Sequence, residues 1–123
     1  MILVDTSVWI DHLRYQDGQL SHFLHHGEVL AHPFVIGELS MGSLKHRPVL
    51  GDLADLPQAL TAHHEEVLEF IESRKLFSLG LGFIDAHLLV SAKLTPSARL
   101  WTHDKRLHEA AVRLYLDFTP KLN

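Results

Sequence analysis

Asp5, Glu38, Asp85 and Asp104 each end an apolar run or sit inside an apolar stripe, where a lone carboxylate is costly to bury. Brought together, four such acids repel one another and raise one another's pKa values unless a cation neutralises them. Four oxygen ligands in a chain without cysteine suit Mg²⁺ or Mn²⁺, hard ions that keep several waters and favour phosphate substrates. The chemistry in view is metal-assisted hydrolysis of a phosphate ester.

Taken singly, each acid has a plainer reading. Asp5 and Asp104 follow strand-like runs and precede helix-like ones, so either alone is explained as an N-cap contributing on the order of 1 kcal/mol. Glu38 has Phe34, Val35, Met41 and Gly42 as its helical neighbours, and Asp85 has Leu81, Gly82, Leu88 and Leu89; none is basic. One buried carboxylate of this kind can be satisfied by backbone amides or a distant arginine. It is the collective pattern, an acid on each of four separate elements, that points to a shared site.

The elements that must position these acids alternate between strand and helix. Ile2 to Val4 reads as a buried strand, with Asp5-Thr6-Ser7 supplying caps for a helix from about Val8 to Arg14. A second helix fits Leu20 to His26, stopped by Gly27, and Glu28 to Ala31 reads as a second strand. Pro33 suits the first turn of a helix running from Phe34 to Leu44, and Val49 to Leu56 is a further short helix ended by Pro57. Glu65 to Leu76 carries apolar residues at helical spacing opposite a glutamate-rich face. After a glycine-punctuated turn over Leu79 to Gly82 come a buried helix from Phe83 to Leu94, a strand from Arg99 to Thr102, a helix from Lys105 to Leu114 and an edge strand from Tyr115 to Phe118. Such alternation predicts an α/β fold with a central parallel sheet covered by helices on both faces, and the strands' carboxyl ends then share one edge. Asp5 and Asp104 are expected at that edge. Trp9, Phe23, Leu24, Met41 and Leu44 are expected in the core.

Composition narrows the function classes. The 123 residues predict a single domain, and 46% apolar against 21% charged residues is ordinary for a globular protein. Zero cysteines exclude a disulfide framework and thiolate zinc sites. No basic leader opens the chain and no apolar run approaches the roughly 18 residues that span a bilayer, so a cytoplasmic protein without a membrane partner is expected. A net charge of -4 gives no global attraction to nucleic acid. Local basic pairs, Lys45 with Arg47, Arg74 with Lys75 and Lys105 with Arg106, remain available for phosphates.

Asp5-Thr6-Ser7-Val8-Trp9, Val35-Ile36-Gly37-Glu38-Leu39, Asp85-Ala86-His87-Leu88 and Trp101-Thr102-His103-Asp104 resemble, in this order, the motifs of PIN-domain ribonucleases. More narrowly, the whole chain resembles the VapC toxins of toxin-antitoxin pairs. The resemblance implies a single PIN-like three-layer α/β/α sandwich, magnesium-dependent cleavage of an RNA substrate, a cognate VapB-type antitoxin as partner and a homodimer. Many members carry a further acid just after the position of Asp104, where this chain continues Lys105-Arg106-Leu107, so the number of metal ions, one or two, stays open. On this reading Asp5 and Asp85 anchor Mg²⁺, with Mn²⁺ a substitute, while Glu38 and Asp104 complete its shell or orient the attacking water. Thr6 and Ser7 read as capping hydroxyls.

Rival classes fit less well. A haloacid-dehalogenase-like phosphatase wants a second aspartate two residues after the first, where Ser7 stands. A receiver-like phosphoacceptor wants adjacent acids at the first strand and a late lysine. The alternative that survives is a catalytically weak PIN-like scaffold that binds RNA or protein. Among 11 histidines, His22 and His26 lie one helical turn apart, a zinc-like spacing without a third ligand. His87 and His103 lie nearest the acids and are candidates for touching a substrate phosphate.

Overall fold

The computed structural model describes residues 1–121. Three parallel strands, β1 (Ile2–Val4), β2 (Val29–Leu30) and β3 (Arg99–Trp101), form a sheet in the order β2-β1-β3. Ile2 stands opposite both Val29 and Arg99, and Val4 opposite Trp101. A central parallel strand is covered on both faces, so Ile2-Leu3-Val4 is apolar throughout instead of alternating. Isolated parallel bridges extend the sheet at its two edges, Ala31 with Gln58 and Leu100 with Asp117.

Helices α1 (Thr6–Tyr15) and α2 (Gly18–His25) join β1 to β2. Helices α3 (Pro33–Ser40), α4 (Val49–Ala54), α5 (His64–Ser73) and α6 (Phe83–Leu94) lie between β2 and β3, and α7 (Lys105–Arg113) follows β3. The helices pack on the sheet to give the expected three-layer arrangement, around a core that includes Leu3, Val4, Leu20, Leu88, Leu89, Leu100 and Leu107. Burying each such leucine is worth roughly 1.5–3 kcal/mol. From Ala86 to Ala92 α6 is buried without interruption, which identifies it as the central helix.

This topology marks one edge of the sheet as a candidate binding edge. The chain leaves β1 toward β2 on one side, then crosses to β3 on the other, so the strand order reverses between β1 and β3. In open α/β sheets the crevice outside the carboxyl ends at such a switch point is the binding site. Asp5 follows β1 and Asp104 follows β3, and the Asp5 amide donates to the Trp101 carbonyl at 2.9 Å, which ties the two strand ends together.

Four expectations change. Helix α3 ends at Ser40, short of Leu44, because the amides of Met41 and Gly42 reach back only three residues, to Glu38 and Leu39. Met41 consequently leaves the core side and is 88% exposed, whereas Trp9 is buried and Phe23 and Leu24 pack on the core as expected. Tyr115 to Phe118 makes a single bridge, Leu116 and Phe118 bonding Leu100, instead of a full edge strand. Glu38, expected within an apolar stripe, is exposed, and so is Asp104.

Candidate active site

Asp5 is the buried member of the acid set, 6% exposed at the end of β1. Its Oδ2 accepts from Ser7 Oγ at 2.7 Å and from Thr102 Oγ1 at 2.8 Å, with the Ser7 amide at 3.4 Å. Both hydroxyls are themselves held by backbone: the His103 amide donates to Ser7 Oγ at 3.0 Å and the Asp104 amide to Thr102 Oγ1 at 3.0 Å. The start of the loop after β3 therefore orients the carboxylate at the end of β1 through two serially bonded hydroxyls.

The other three acids are restrained in the same manner. Thr6 Oγ1, at the start of α1, donates to Glu38 Oε1 at 2.7 Å. The Gly82 amide donates to Asp85 Oδ2 at 2.9 Å, the reach-back of a helix's third residue to its N-cap. The Leu107 amide donates to Asp104 Oδ1 at 2.9 Å. In each case one carboxylate oxygen is bonded and, among the described residues, the second has no donor. Thr6 and Ser7 thus hold carboxylates, while the cap of α1 is Asp5 itself.

Electrostatics links the four. Burial raises the Asp85 carboxyl above its usual range, the charges of Asp5, Asp104 and Glu38 push it further, and the Gly82 amide opposes them. Asp85 thus senses the other three acids at once. Among the described residues no three Asp, Glu or His side chains approach closely enough to enclose an ion as they stand, so the acids rim the sheet edge instead of meeting at a point. Free oxygens of hard carboxylates, each steadied by a fixed donor, fit a divalent cation that retains waters of its own.

The histidines separate. His87 turns into the core, its Nδ1 without a hydrogen-bond partner and its ring edge-on to Phe34 at 4.6 Å and Phe83 at 4.9 Å, so it does not reach a substrate. His103 is exposed at the rim, where its Nδ1 meets Asp11 Oδ2 at 2.5 Å. His22 and His26 stack with ring centroids 4.2 Å apart, and His26 Nδ1 is taken by the His22 carbonyl.

Sequence reasoning missed His32. Wholly buried, it accepts the Phe34 amide at Nδ1, 3.0 Å away, which caps α3 and leaves Nε2 as the N–H that meets Ser91 Oγ of α6 at 2.9 Å. Burial, with His87 a lesser cause, lowers its pKa to about 4. His32 thereby joins the helix bearing Glu38 to the helix bearing Asp85. His-Pro before a helix suggests a capping ring, and its bond to Ser91 is a tertiary contact that no local pattern encodes.

Two concavities flank the acids. A groove of about 530 Å³ between α1 and the turn after α3 is lined by Ile10, Leu13, Tyr15, Leu44 and Val49, and reaches Glu38. On the other side a cleft of about 430 Å³ is lined by Trp101, Thr102, Asp104, Lys105 and His108.

The PIN domain family model matches residues 2–113, a span that holds all four acids. The chain is 52% identical over 111 residues to "Ribonuclease VapC32" of Mycobacterium tuberculosis, in both strain CDC 1551 / Oshkosh and strain ATCC 25618 / H37Rv, covering 89% of this chain and 90% of the relative. Among solved structures, the crystal structure of PAE2754 from Pyrobaculum aerophilum superposes with a TM-score of 0.58 at 20% identity, covering 93% of this chain and 88% of that one, a likeness of fold.

Proposed function

The chain belongs to the PIN-domain family and within it to the VapC ribonucleases, and from that premise we propose that Asp5, Glu38, Asp85 and Asp104 are the active site of a toxin endoribonuclease. One observation carries the assignment: each acid has one oxygen fixed by a donor and the other left open at the switch point of the sheet. Asp5 and Asp85 would hold the divalent cation, Mg²⁺ with Mn²⁺ as substitute, and Glu38 and Asp104 would complete its shell or orient the attacking water. When bound, the ion would supply Lewis-acid activation of water and offset charge on the phosphoryl oxygens.

The protein's own groups do the positioning. Ser7 and Thr102 hold Asp5 Oδ2 against rotation, so Oδ1 keeps its aim. Thr6 does the same for Glu38 across 32 residues of sequence. Precision of this kind is what a hydrolytic centre requires, because loss of an outer-shell partner of a metal ligand typically lowers affinity or activity 10- to 100-fold.

The apolar groove beside Glu38 is the seat we assign to a VapB-type antitoxin, whose amphipathic helix would cover Ile10, Leu13 and Tyr15 and bring a basic side chain toward the acids. The RNA substrate, the homodimer and a cytoplasmic location belong to the same proposal. Among the described residues no helix is long and apolar enough to cross a membrane.

The test is incubation of purified, antitoxin-free protein with total cellular RNA in Mg²⁺ or Mn²⁺, beside EDTA and Asp85→Asn controls. Discrete fragments lost in both controls are expected. No cleavage by folded, metal-bound protein would favour the catalytically weak scaffold.

A further inference from the structure

Most arginines of this chain are engaged internally. Arg47 bonds the Ser40 carbonyl, Arg99 the carbonyls of Tyr115 and Asp117, and Arg113 that of Lys75, while Arg74 lies over the Phe70 ring. Arg14 lines the apolar groove. Arg14 makes no hydrogen bond among the described residues either, and Arg106 is set apart by its place beside the acids. It is exposed, and among the described residues it has no hydrogen-bond partner and no carboxylate within 4.0 Å, although it stands two residues after Asp104 in a chain of net charge -4.

Its side chain nevertheless has a built resting place. Gly80 lies in the loop that leads to α6, with φ +78°, and a Cβ on it would fall 2.4 Å from Arg106 Nη1, 2.9 Å from Cδ and 3.0 Å from Cζ. The guanidinium therefore lies against the bare Cα of Gly80, two residues before the Gly82 amide that holds Asp85. Its neighbour Lys105 lines the cleft beside Asp104, and Arg106 is not among the residues that line it.

We propose that Arg106, seated on Gly80, is a phosphate-binding residue for the RNA strand on the α6 side of the acids. This rests on the ribonuclease reading. An RNA strand approaching a negative edge needs cations beside the reacting phosphate. A planar guanidinium that rests its Nη1 side on Gly80 and is otherwise exposed offers its remaining N–H donors to phosphate oxygens. A Cβ at Gly80 would displace the Arg106 side chain from this position.

The experiment measures binding of a fluorescent single-stranded RNA oligonucleotide in EDTA by anisotropy across a KCl series, for wild type, Arg106→Ala, Arg106→Lys, Gly80→Ala and Lys93→Ala. Cleavage in Mg²⁺ and melting temperature are recorded alongside. Lys93, in the last turn of α6, is a distant removal of the same charge. Arg106→Ala is expected to weaken binding about tenfold, to make the slope of log K against log salt shallower by about 0.7, and to raise KM more than it lowers kcat, with the melting temperature unchanged. Arg106→Lys should keep the slope with part of the affinity, Gly80→Ala should imitate the loss, and Lys93→Ala should match wild type.

Equal affinity and slope for Arg106→Ala and wild type would overturn the proposal. So would a loss of affinity matched by a fall in melting temperature, which would make Arg106 a strut between α7 and the loop. Wild-type protein that binds RNA through Arg106 but does not cut it in Mg²⁺ would uphold the contact and remove the ribonuclease reading instead.

Discussion

Thr102 Oγ1 donates to Asp5 Oδ2 at 2.8 Å and accepts the Asp104 amide at 3.0 Å, so one hydroxyl ties the acid after β1 to the acid after β3. Thr102→Val keeps the shape of the side chain and removes both bonds, leaving a buried carboxylate and a backbone amide short of a partner. A stability loss of about 1–3 kcal/mol is expected, together with a 10- to 100-fold fall in metal affinity. Thr102→Ser should restore both. Urea unfolding and calorimetric titration with Mn²⁺ check the pair; wild-type affinity in the valine variant would show that Asp5 needs no help from Thr102.

Asp85 is the acid whose ionisation the folded state opposes, through burial and through the charges of Asp5, Asp104 and Glu38. A carboxyl with a raised folded pKa destabilises the protein above that pKa, and the penalty vanishes at lower pH, where the group is neutral in both states. Asp85→Asn keeps an acceptor for the Gly82 amide and removes the charge. Without divalent ions it should melt at or above the wild-type temperature at pH 7, with the gap closing as pH falls toward the ordinary carboxylate range. Added Mg²⁺ should raise the melting temperature of wild type and not of the variant, and cleavage should be lost. A variant that melts lower than wild type in EDTA would contradict this account.

His32 supplies the opposite sign. Its pKa falls from 6.5 to about 4 on folding, so its contribution is complete above pH 6.5 and is lost as pH drops from there through 4. The difference corresponds to about 3 kcal/mol. His32→Asn retains a capping acceptor for the Phe34 amide without a titrating ring, so it should be less stable at neutral pH yet lose less stability between pH 6.5 and 4. Urea midpoints at several pH values decide it; parallel profiles for variant and wild type would place the pH sensitivity elsewhere.

Local grammar made the starts of the helices legible and left some of their ends obscure. Three helices close with the same six-to-one backbone bond: Glu28 to Phe23 after α2, Leu76 to Ile71 after α5, and Leu116 to Ala111 after α7. Only the first has glycine at its left-handed position, Gly27, whereas the others use Lys75 at φ 54° and Tyr115 at φ 60°. That is why α2 could be stopped by sight and α5 read on to Leu76. The acids were legible for a different reason, since strand ends and helix starts are local features that the sheet then gathers. The partners were not, because Thr6 with Glu38 and Thr102 with Asp5 lie 32 and 97 residues apart. Lys75→Gly relieves the strained position, and a gain of about 0.5–1 kcal/mol is expected. Thermal unfolding checks it, and a loss would mean that the Lys75 side chain contributes more than its backbone strain removes.

The groove beside Glu38 brings apolar surface up to the acids. Tyr15 is 80% exposed, and Ile10 and Leu13 are partly exposed in the same groove, a concentration of apolar surface next to an acidic site. Leu13→Asp places a charge on that surface without touching any group that holds an acid, so RNA cleavage should persist while affinity for a cognate VapB-type antitoxin falls at least tenfold, the equivalent of about 1.4 kcal/mol or more. Calorimetry with the antitoxin and a cleavage assay on the same preparation separate the two effects. Unchanged antitoxin affinity would move the partner off this groove, and joint loss of binding and cleavage would mean that α1 had been disturbed as far as Thr6 and its bond to Glu38.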